Sequence, residues 1–101
     1  MKKKVRLSDF EIKTIKETAR EVFGENTKVY LFGSRADPNR KGGDIDILIK
    51  TERKATLDQR LTFLAKLELK GIERKTDLLV LSPDTEVKEI HREALRSGIE
   101  I

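Results

Sequence analysis

Three aspartates are the residues of this sequence whose type and spacing could do chemistry. Asp44 and Asp46 stand two positions apart in an apolar run that predicts a strand, so both side chains project from one face of it. Neighbouring carboxylates repel each other unless a cation lies between them, and Mg²⁺ suits carboxylate oxygens together with substrate phosphates. A third acid, Asp77, opens the next apolar run. If the two strands lie together, the three acids would form a two-metal site.

A Gly33-Ser34 pair lies one loop upstream of these acids, where a predicted strand at residues 29–32 ends. Glycine lets the backbone approach a phosphate closely, and free amides with the Ser34 hydroxyl can bind its oxygens. Arg35 is placed to reach a triphosphate, and a surface salt bridge is an equally good interpretation. A bare Asp-X-Asp is more often a pair of turn-exit acids, and Gly-Ser alone carries almost no information. Their order along the chain favours a phosphate and metal site.

Other residues near these motifs favour ordinary structural roles. Arg40 and Lys41 are more typical of a solvated loop than of a cover over a nucleotide. His91 is predicted at the surface or its boundary rather than as a catalytic base. Tyr30 is predicted to pack rather than to stack on a base.

The hydrophobic pattern predicts a single α/β layer domain whose elements run α-β-β-α-β-α, with a short edge strand left open at residues 99–101. The predicted elements are helices at residues 8–24, 56–70 and 82–98 and strands at residues 29–32, 44–49 and 76–81. Ser8 and Glu11 form a capping box, and Gly24 ends the first helix. In the second helix Leu57, Leu61, Leu64 and Ala65 recur at helical spacing, with Phe63 and Leu67 beside them, and Gly71 ends it. Ser82-Pro83-Asp84 should begin the third helix.

Length and composition narrow the class of protein. At 101 residues the chain is predicted to be one domain, residues 1–101, with a flexible basic arm at residues 1–6. The arm carries four positive charges, which equals the net charge of +4 of the whole chain. The positive and negative charges of the remaining residues therefore cancel. Zero cysteines and one histidine exclude disulfide scaffolds and thiolate zinc sites. No apolar run is long enough to span a membrane, which favours a cytoplasmic protein.

Two runs of residues resemble the nucleotidyltransferase superfamily of DNA polymerase beta: Leu31-Phe32-Gly33-Ser34-Arg35-Ala36 and Gly43-Asp44-Ile45-Asp46-Ile47. Across residues 5–101 the chain is most similar to the minimal (MNT-type) nucleotidyltransferases. The resemblance implies the nucleotidyltransferase fold, a small mixed β-sheet with helices packed on it. Many relatives have serine where Gly43 stands and glycine where Asp37-Pro38 stands. Neither difference removes a metal ligand.

The resemblance also implies roles for the site residues. Asp44 and Asp46 would ligate two Mg²⁺ ions, and Asp77 would be the third carboxylate, near the attacking hydroxyl. Gly33, Ser34 and Arg35 would bind the phosphates of the nucleotide. The implied reaction is in-line attack of a hydroxyl on the α-phosphate of a nucleoside triphosphate, expected to be ATP, with release of pyrophosphate.

The acceptor and partner follow from the same resemblance. Minimal nucleotidyltransferases commonly act as antitoxins that transfer AMP to a tyrosine of a HEPN-domain toxin, so a Mg²⁺-dependent protein adenylyltransferase is the leading hypothesis. One alternative is a binding subunit that neutralises its partner by occlusion. Another is a transferase subunit that acts on a small molecule with a helical companion, and a homo-oligomer stays open. Nucleic-acid binding through residues 1–6 is the weakest interpretation.

Overall fold

Three helices and four strands make up residues 7–32 and 45–101, the part of the chain that the structure, a computed structural model, describes. They are α1 (Asp9–Phe23), β1 (Lys28–Phe32), β2 (Ile45–Lys50), α2 (Leu57–Leu69), β3 (Thr76–Leu81), α3 (Glu89–Ser97) and β4 (Ile99–Glu100). The predicted element order is confirmed, including the short final strand. The arm at residues 1–6 and the loop at residues 33–44 lie outside the described residues.

The four strands form one mixed sheet in the order β3-β2-β1-β4. β2 and β3 are parallel, and α2 makes the crossover between them. β1 runs antiparallel to both β2 and β4, so it runs in the direction opposite to the other three strands of the described sheet. This arrangement confirms the α/β fold with a small mixed sheet and is consistent with a nucleotidyltransferase fold.

The two faces of the sheet have different environments. α1 and α2 share one hydrophobic cluster with the face that carries Ile45, Ile47 and Ile49, all fully buried. We call this the helix-packed face. Side chains alternate along a strand, so Asp46 and the fully buried Leu48 belong to the opposite face. α3 contacts β1 and β2, and its own buried residues lie outside the α1–α2 cluster.

Capping boxes begin both helices of the helix-packed face. Ser8 Oγ accepts from the Glu11 amide at 3.1 Å, and Glu11 Oε1 accepts from the Ser8 amide at 3.0 Å, as predicted. Thr56 and Gln59 make the same reciprocal pair at 3.1 and 2.9 Å, a signal that sequence reasoning missed. Each box satisfies amides that the first helical turn would leave unpaired.

The apolar residues that predicted α2 differ widely in burial. Leu57 and Leu61 are 69% and 56% exposed, whereas Phe63 is fully buried and Leu67 is 2% exposed. Leucines occur nearly all around this helix, so periodicity could not choose the buried side. The contact with α1 decides which side of α2 is buried. Gln59 Nε2 donates to the Val22 carbonyl of α1 at 3.1 Å, and this bond favours one rotation of α2 about its axis.

The third helix begins at Glu89 rather than at the predicted Ser82-Pro83-Asp84. Ser82 is instead part of a turn in which the Thr85 amide donates to the Ser82 carbonyl at 3.0 Å. The Thr85 hydroxyl in return accepts from the Ser82 amide at 2.9 Å, so polar side chains satisfy the backbone without a helix. His91, predicted at the surface or its boundary, is buried at 8% exposure. Its Nδ1 accepts from the Lys88 amide at 3.0 Å at the start of α3.

Glu21 links α1 to α2 through ion pairs, and the stability of the fold should therefore fall when the pH becomes acidic. Its carboxylate accepts from Lys70 Nζ at 2.8 Å and from Lys66 Nζ at 3.3 Å, and these bonds, Lys70 first, lower the pKa of Glu21 below its ordinary value. The ionised Glu21 therefore stabilises the folded state fully above the pKa of an unfolded glutamate, about 4.3. This stabilisation is lost as the pH falls through the lower pKa of Glu21 in the folded state. We expect the melting temperature of wild type to exceed that of Glu21→Gln at pH 7, and this difference, the gap, to shrink towards pH 3.

Thermal unfolding of both proteins from pH 7 to pH 3 measures this gap. Glu25→Gln, an exposed change two residues beyond the end of the same helix, removes a carboxylate outside these bonds and serves as the control. A gap between wild type and Glu21→Gln that widens on acidification would show that these bonds do not lower the pKa of Glu21.

Gly98 joins α3 to β4 where only a hydrogen fits. A Cβ at this position would overlap the Ala94 carbonyl oxygen and lie 3.3 Å from that of Leu31. We expect Gly98→Ala to lower the free energy of unfolding by about 1–3 kcal/mol, as overpacking usually does. Urea denaturation measures the loss, with the neighbouring exposed change Ser97→Ala expected within about 0.5 kcal/mol of wild type. Equal stability of the two variants would contradict the proposed crowding.

Candidate functional site

Asp46 and Asp77 lie side by side at the start of β2 and β3. They are direct partners in the parallel register of these two strands, which run about 4.8 Å apart. Since the register aligns the strand faces, both carboxylates belong to the face opposite α1 and α2. The structure therefore brings together two of the three acids that the sequence predicted as a site.

The end of the sheet that carries these acids is also where the predicted phosphate motif joins it. Phe32, the last residue of β1, pairs with Asp46, and Gly33 follows it in the sequence. The Ile45 amide donates to the Lys75 carbonyl at 2.8 Å, which ties the first residue of β2 to the entry of β3. Gly33, Ser34, Arg35 and Asp44 themselves lie outside the described residues, as do Arg40 and Lys41.

The local packing fixes the backbone that carries Asp46. Its two neighbours in β2, Ile45 and Ile47, are fully buried in the helix-packed cluster, so Asp46 is held between two anchored side chains. Asp46 itself is partly buried, and the Asp77 side chain is 50% exposed. Asp46 thus combines an anchored backbone with partial access to solvent, and Asp77 beside it is half exposed, as a site for a charged ligand requires.

Lys75 is a neighbour of this site that sequence reasoning missed. Its Nζ lies 4.0 Å from Asp77 Oδ1, and both side chains are at least half exposed. A contact of this length between exposed groups contributes little to stability. The available signal was its position two residues before Asp77, directly ahead of the strand that carries this acid.

The two described acids suit a divalent metal. They supply oxygen ligands from adjacent strands, which is the donor type that Mg²⁺ prefers when phosphates complete its shell. Within residues 7–32 and 45–101 no group of three or more His, Cys, Asp or Glu side chains could hold a metal ion. A third carboxylate would have to come from outside the described residues, and the predicted one, Asp44, precedes Ile45 in the sequence.

Comparison with known families decides what kind of domain carries this pair of acids. The model of the family described as polymerase beta, nucleotidyltransferase, matches residues 12–101. The chain belongs to this family. The match begins within α1, runs through β4 and includes both described acids, so the chain is assigned to the nucleotidyltransferases. Nucleotidyltransferase domains generally use a nucleoside triphosphate and a divalent metal. A search of curated proteins gave no significant match.

Two remaining features complete the description of this nucleotidyltransferase domain. Tyr30 is half-buried and pairs with Leu48 on one side and Glu100 on the other, in keeping with its predicted packing role. Among the described residues, no helix is both long and apolar enough to span a bilayer.

Proposed function

We propose that this nucleotidyltransferase domain is a Mg²⁺-dependent enzyme that transfers AMP from ATP to a hydroxyl group. The observation that carries the proposal is the in-register pair Asp46 and Asp77 on neighbouring parallel strands. Family membership gives this pair its meaning, because two acids alone are compatible with many surfaces. In the proposed site Asp44 supplies the third carboxylate.

The proposed roles divide the reaction among the chain's residues. Gly33, Ser34 and Arg35 hold the triphosphate at the end of β1. Asp44 and Asp46 would hold two Mg²⁺ ions, which when bound would neutralise the phosphates and lower the pKa of a hydroxyl. Asp77 orients the acceptor hydroxyl and accepts its proton as the hydroxyl oxygen forms a bond to the α-phosphorus. The bond from the α-phosphorus to the bridging oxygen breaks, and pyrophosphate departs with that electron pair.

The acceptor we propose is a tyrosine of a HEPN-domain toxin, so that adenylylation makes the chain an antitoxin. The resemblance to minimal nucleotidyltransferases supplies this partner, and the surface of α2 supports a protein acceptor. Leu57, Leu61 and Leu69 are 69%, 56% and 86% exposed, which is more apolar surface than a solvated helix needs. These leucines equally favour the second candidate, a subunit that neutralises its partner by occlusion.

Incubation with Mg²⁺, α-labelled ATP and the product of the adjacent gene tests the proposal. Label on a partner tyrosine, lost when that tyrosine is changed to phenylalanine, supports adenylylation. Tight binding without transfer, unaffected by asparagine at positions 44 and 46, favours occlusion instead. Label recovered only on an added small molecule such as an aminoglycoside would move the acceptor to that class. No transfer and no binding would overturn the proposed partner.

A further inference from the structure

One edge of β3 has no neighbouring strand. β3 ends the sheet order β3-β2-β1-β4, so β2 pairs with its inner edge and, among the described residues, no strand pairs with its outer edge. The bonds to β2 determine the direction of each backbone group. The Ile45 amide donates to the Lys75 carbonyl at 2.8 Å, and by alternation along the strand the amide and carbonyl of Asp77 also face β2. The amides and carbonyls of Thr76 and Leu78 therefore point outward.

The far part of this outer edge is already occupied. The Thr85 hydroxyl accepts from the Ser82 amide at 2.9 Å and lies 3.5 Å from the Val80 carbonyl oxygen, so this side chain covers the outer edge where β3 ends. Within residues 7–32 and 45–101 no comparable bond reaches the outward groups of Thr76 and Leu78. We call these two amides and two carbonyls the open edge. Such an edge is a template for a further strand.

The open edge lies directly beside the proposed site. Asp77 stands between Thr76 and Leu78, and its side chain belongs to the face opposite α1 and α2, next to Asp46. A strand added here would have one residue in register with Asp77 on that same face. Residues two positions away would lie diagonal to Asp77 at about 7–8 Å, a distance that an aromatic side chain spans. A segment paired with the open edge could therefore present a tyrosine hydroxyl to Asp77.

A groove on the other face of the sheet would receive the alternate side chains of such a segment. It has a volume of about 590 Å³ and lies between the second half of α2 and the entry of β3. Its apolar lining residues are Leu64, Leu67 and Ile72. Side chains in register with Thr76 and Leu78 project to this face. Glu68 and Glu73 border the groove, and over the described residues neither forms a salt bridge, so apolar and basic side chains would suit it.

A second copy of this chain suits the open edge poorly. The antiparallel register that pairs Thr76 with Leu78 of a second β3 would set the two Asp77 side chains directly opposite each other. Like charges in that position destabilise a pair of strands. A segment of another protein, with a hydroxyl on this face, avoids the repulsion.

We propose that the open edge binds an extended segment of the protein acceptor, which joins the sheet as a further strand. This inference rests on the proposed function, because it takes the acceptor to be a protein, and it adds how that protein is recognised. Main-chain hydrogen bonds to Thr76 and Leu78 hold the backbone of the segment. Its hydroxyl residue lies on the face of Asp77, and the apolar or basic residues beside it lie over the groove.

Amide hydrogen exchange of the full chain, free and bound to the product of the adjacent gene, tests the inference. In the free chain the amides of Thr76 and Leu78 should exchange fast, whereas those of Asp77 and Leu79 are protected by β2. Binding should slow exchange at Thr76 and Leu78 at least tenfold. The measurement is made without ATP, so its result does not depend on nucleotidyl transfer.

Thr76→Pro removes one outward amide and spares the bonds to β2. Proline is tolerated at the first residue of a strand and on an edge, so the variant should fold. Thr76→Ala is the matched control, because it loses the same side chain and keeps the amide. We expect Thr76→Pro to bind the partner about tenfold more weakly than Thr76→Ala, since a hydrogen bond is lost and the ring obstructs the edge. The melting temperatures of the two variants check the fold.

The outcomes separate this inference from the proposed function. Transfer to the partner with unchanged exchange at Thr76 and Leu78, or equal affinities of the two variants, would overturn the inference and leave the proposed function in place. Slowed exchange without transfer would support the open edge and count against the proposed reaction. Slow exchange at both amides in the free chain would show that the edge is already covered, by a second copy if the slowing depends on concentration, and would overturn the inference.

Discussion

Changing Asp46 to asparagine should lower the rate of nucleotidyl transfer by about a thousandfold. The amide keeps the shape of the carboxylate and loses the charge that would hold a metal ion against the triphosphate, an effect of about 4 kcal/mol on the barrier at 1.36 kcal/mol per tenfold. Asp46 is the right test because its neighbours Ile45 and Ile47 fix its backbone, so the variant should fold normally. Initial rates with α-labelled ATP measure the change, and thermal unfolding checks the fold.

Asp58→Asn is the matched control for this variant. It makes the same chemical change at an exposed position in the first turn of α2, and we expect its transfer rate to stay within about twofold of wild type. Asp77→Asn separates the roles of the acids. If Asp77 orients the acceptor, its variant should lose turnover and retain Mg²⁺-ATP binding, which Asp46→Asn should weaken. Transfer by Asp46→Asn at the wild-type rate would remove this carboxylate from the site.

Changing Phe63 to alanine should lower the free energy of unfolding by about 3–5 kcal/mol. Its ring is fully buried between α1 and the sheet and meets Phe23 with ring centroids 5.7 Å apart and planes tilted by 49°. Removing the ring loses the free energy gained by transferring its apolar surface out of water. It also leaves a cavity that the neighbouring side chains can fill only in part. Urea denaturation at pH 7 measures the loss. Because small domains have only about 5–15 kcal/mol of stability, this variant should be close to unfolding at 37 °C.

Leu61→Ala, two residues away, is the control that tests the orientation of α2. Its side chain is 56% exposed, so we expect a loss of less than about 1 kcal/mol. The contrast matters because Leu61 and Phe63 both belong to the apolar pattern that predicted this helix, and the pattern alone did not say which of them is buried. Equal losses for the two variants would mean that α2 presents a different face to the sheet.

The starts of α1 and α3 differ in how far a local signal can be trusted. At the start of α1 the capping box of Ser8 and Glu11 was readable, because both partners lie within one turn of chain. At Ser82 an equally good local signal misled, since the Thr85 amide, which a capping Ser82 hydroxyl would accept from, donates to the Ser82 carbonyl in a turn. A cap residue also suits a turn, so it does not by itself predict a helix.

In the candidate site, too, local features could be predicted from the sequence and contacts between distant segments could not. Strand alternation already placed Asp46 on the face away from Ile45 and Ile47, because a period of two belongs to a single strand. That Asp77 stands beside it could be suspected from the sequence but depended on the register of β2 and β3, which chain-distant contacts set. The predictions for Gly33, Ser34, Arg35 and Asp44 stay predictions, since these residues lie outside the described part of the chain.

By itself the sequence determined the α/β class, the order of the elements, the strands at β1 and β3 and the acids worth testing. These follow from hydrophobic periodicity and from interactions within one turn or strand. Only the tertiary structure decided the mixed sheet order, the rotation of α2, the late start of α3 and the burial of His91. Those features depend on which surfaces meet. The Asp46–Asp77 pair likewise exists only because two strands far apart in the chain share a register.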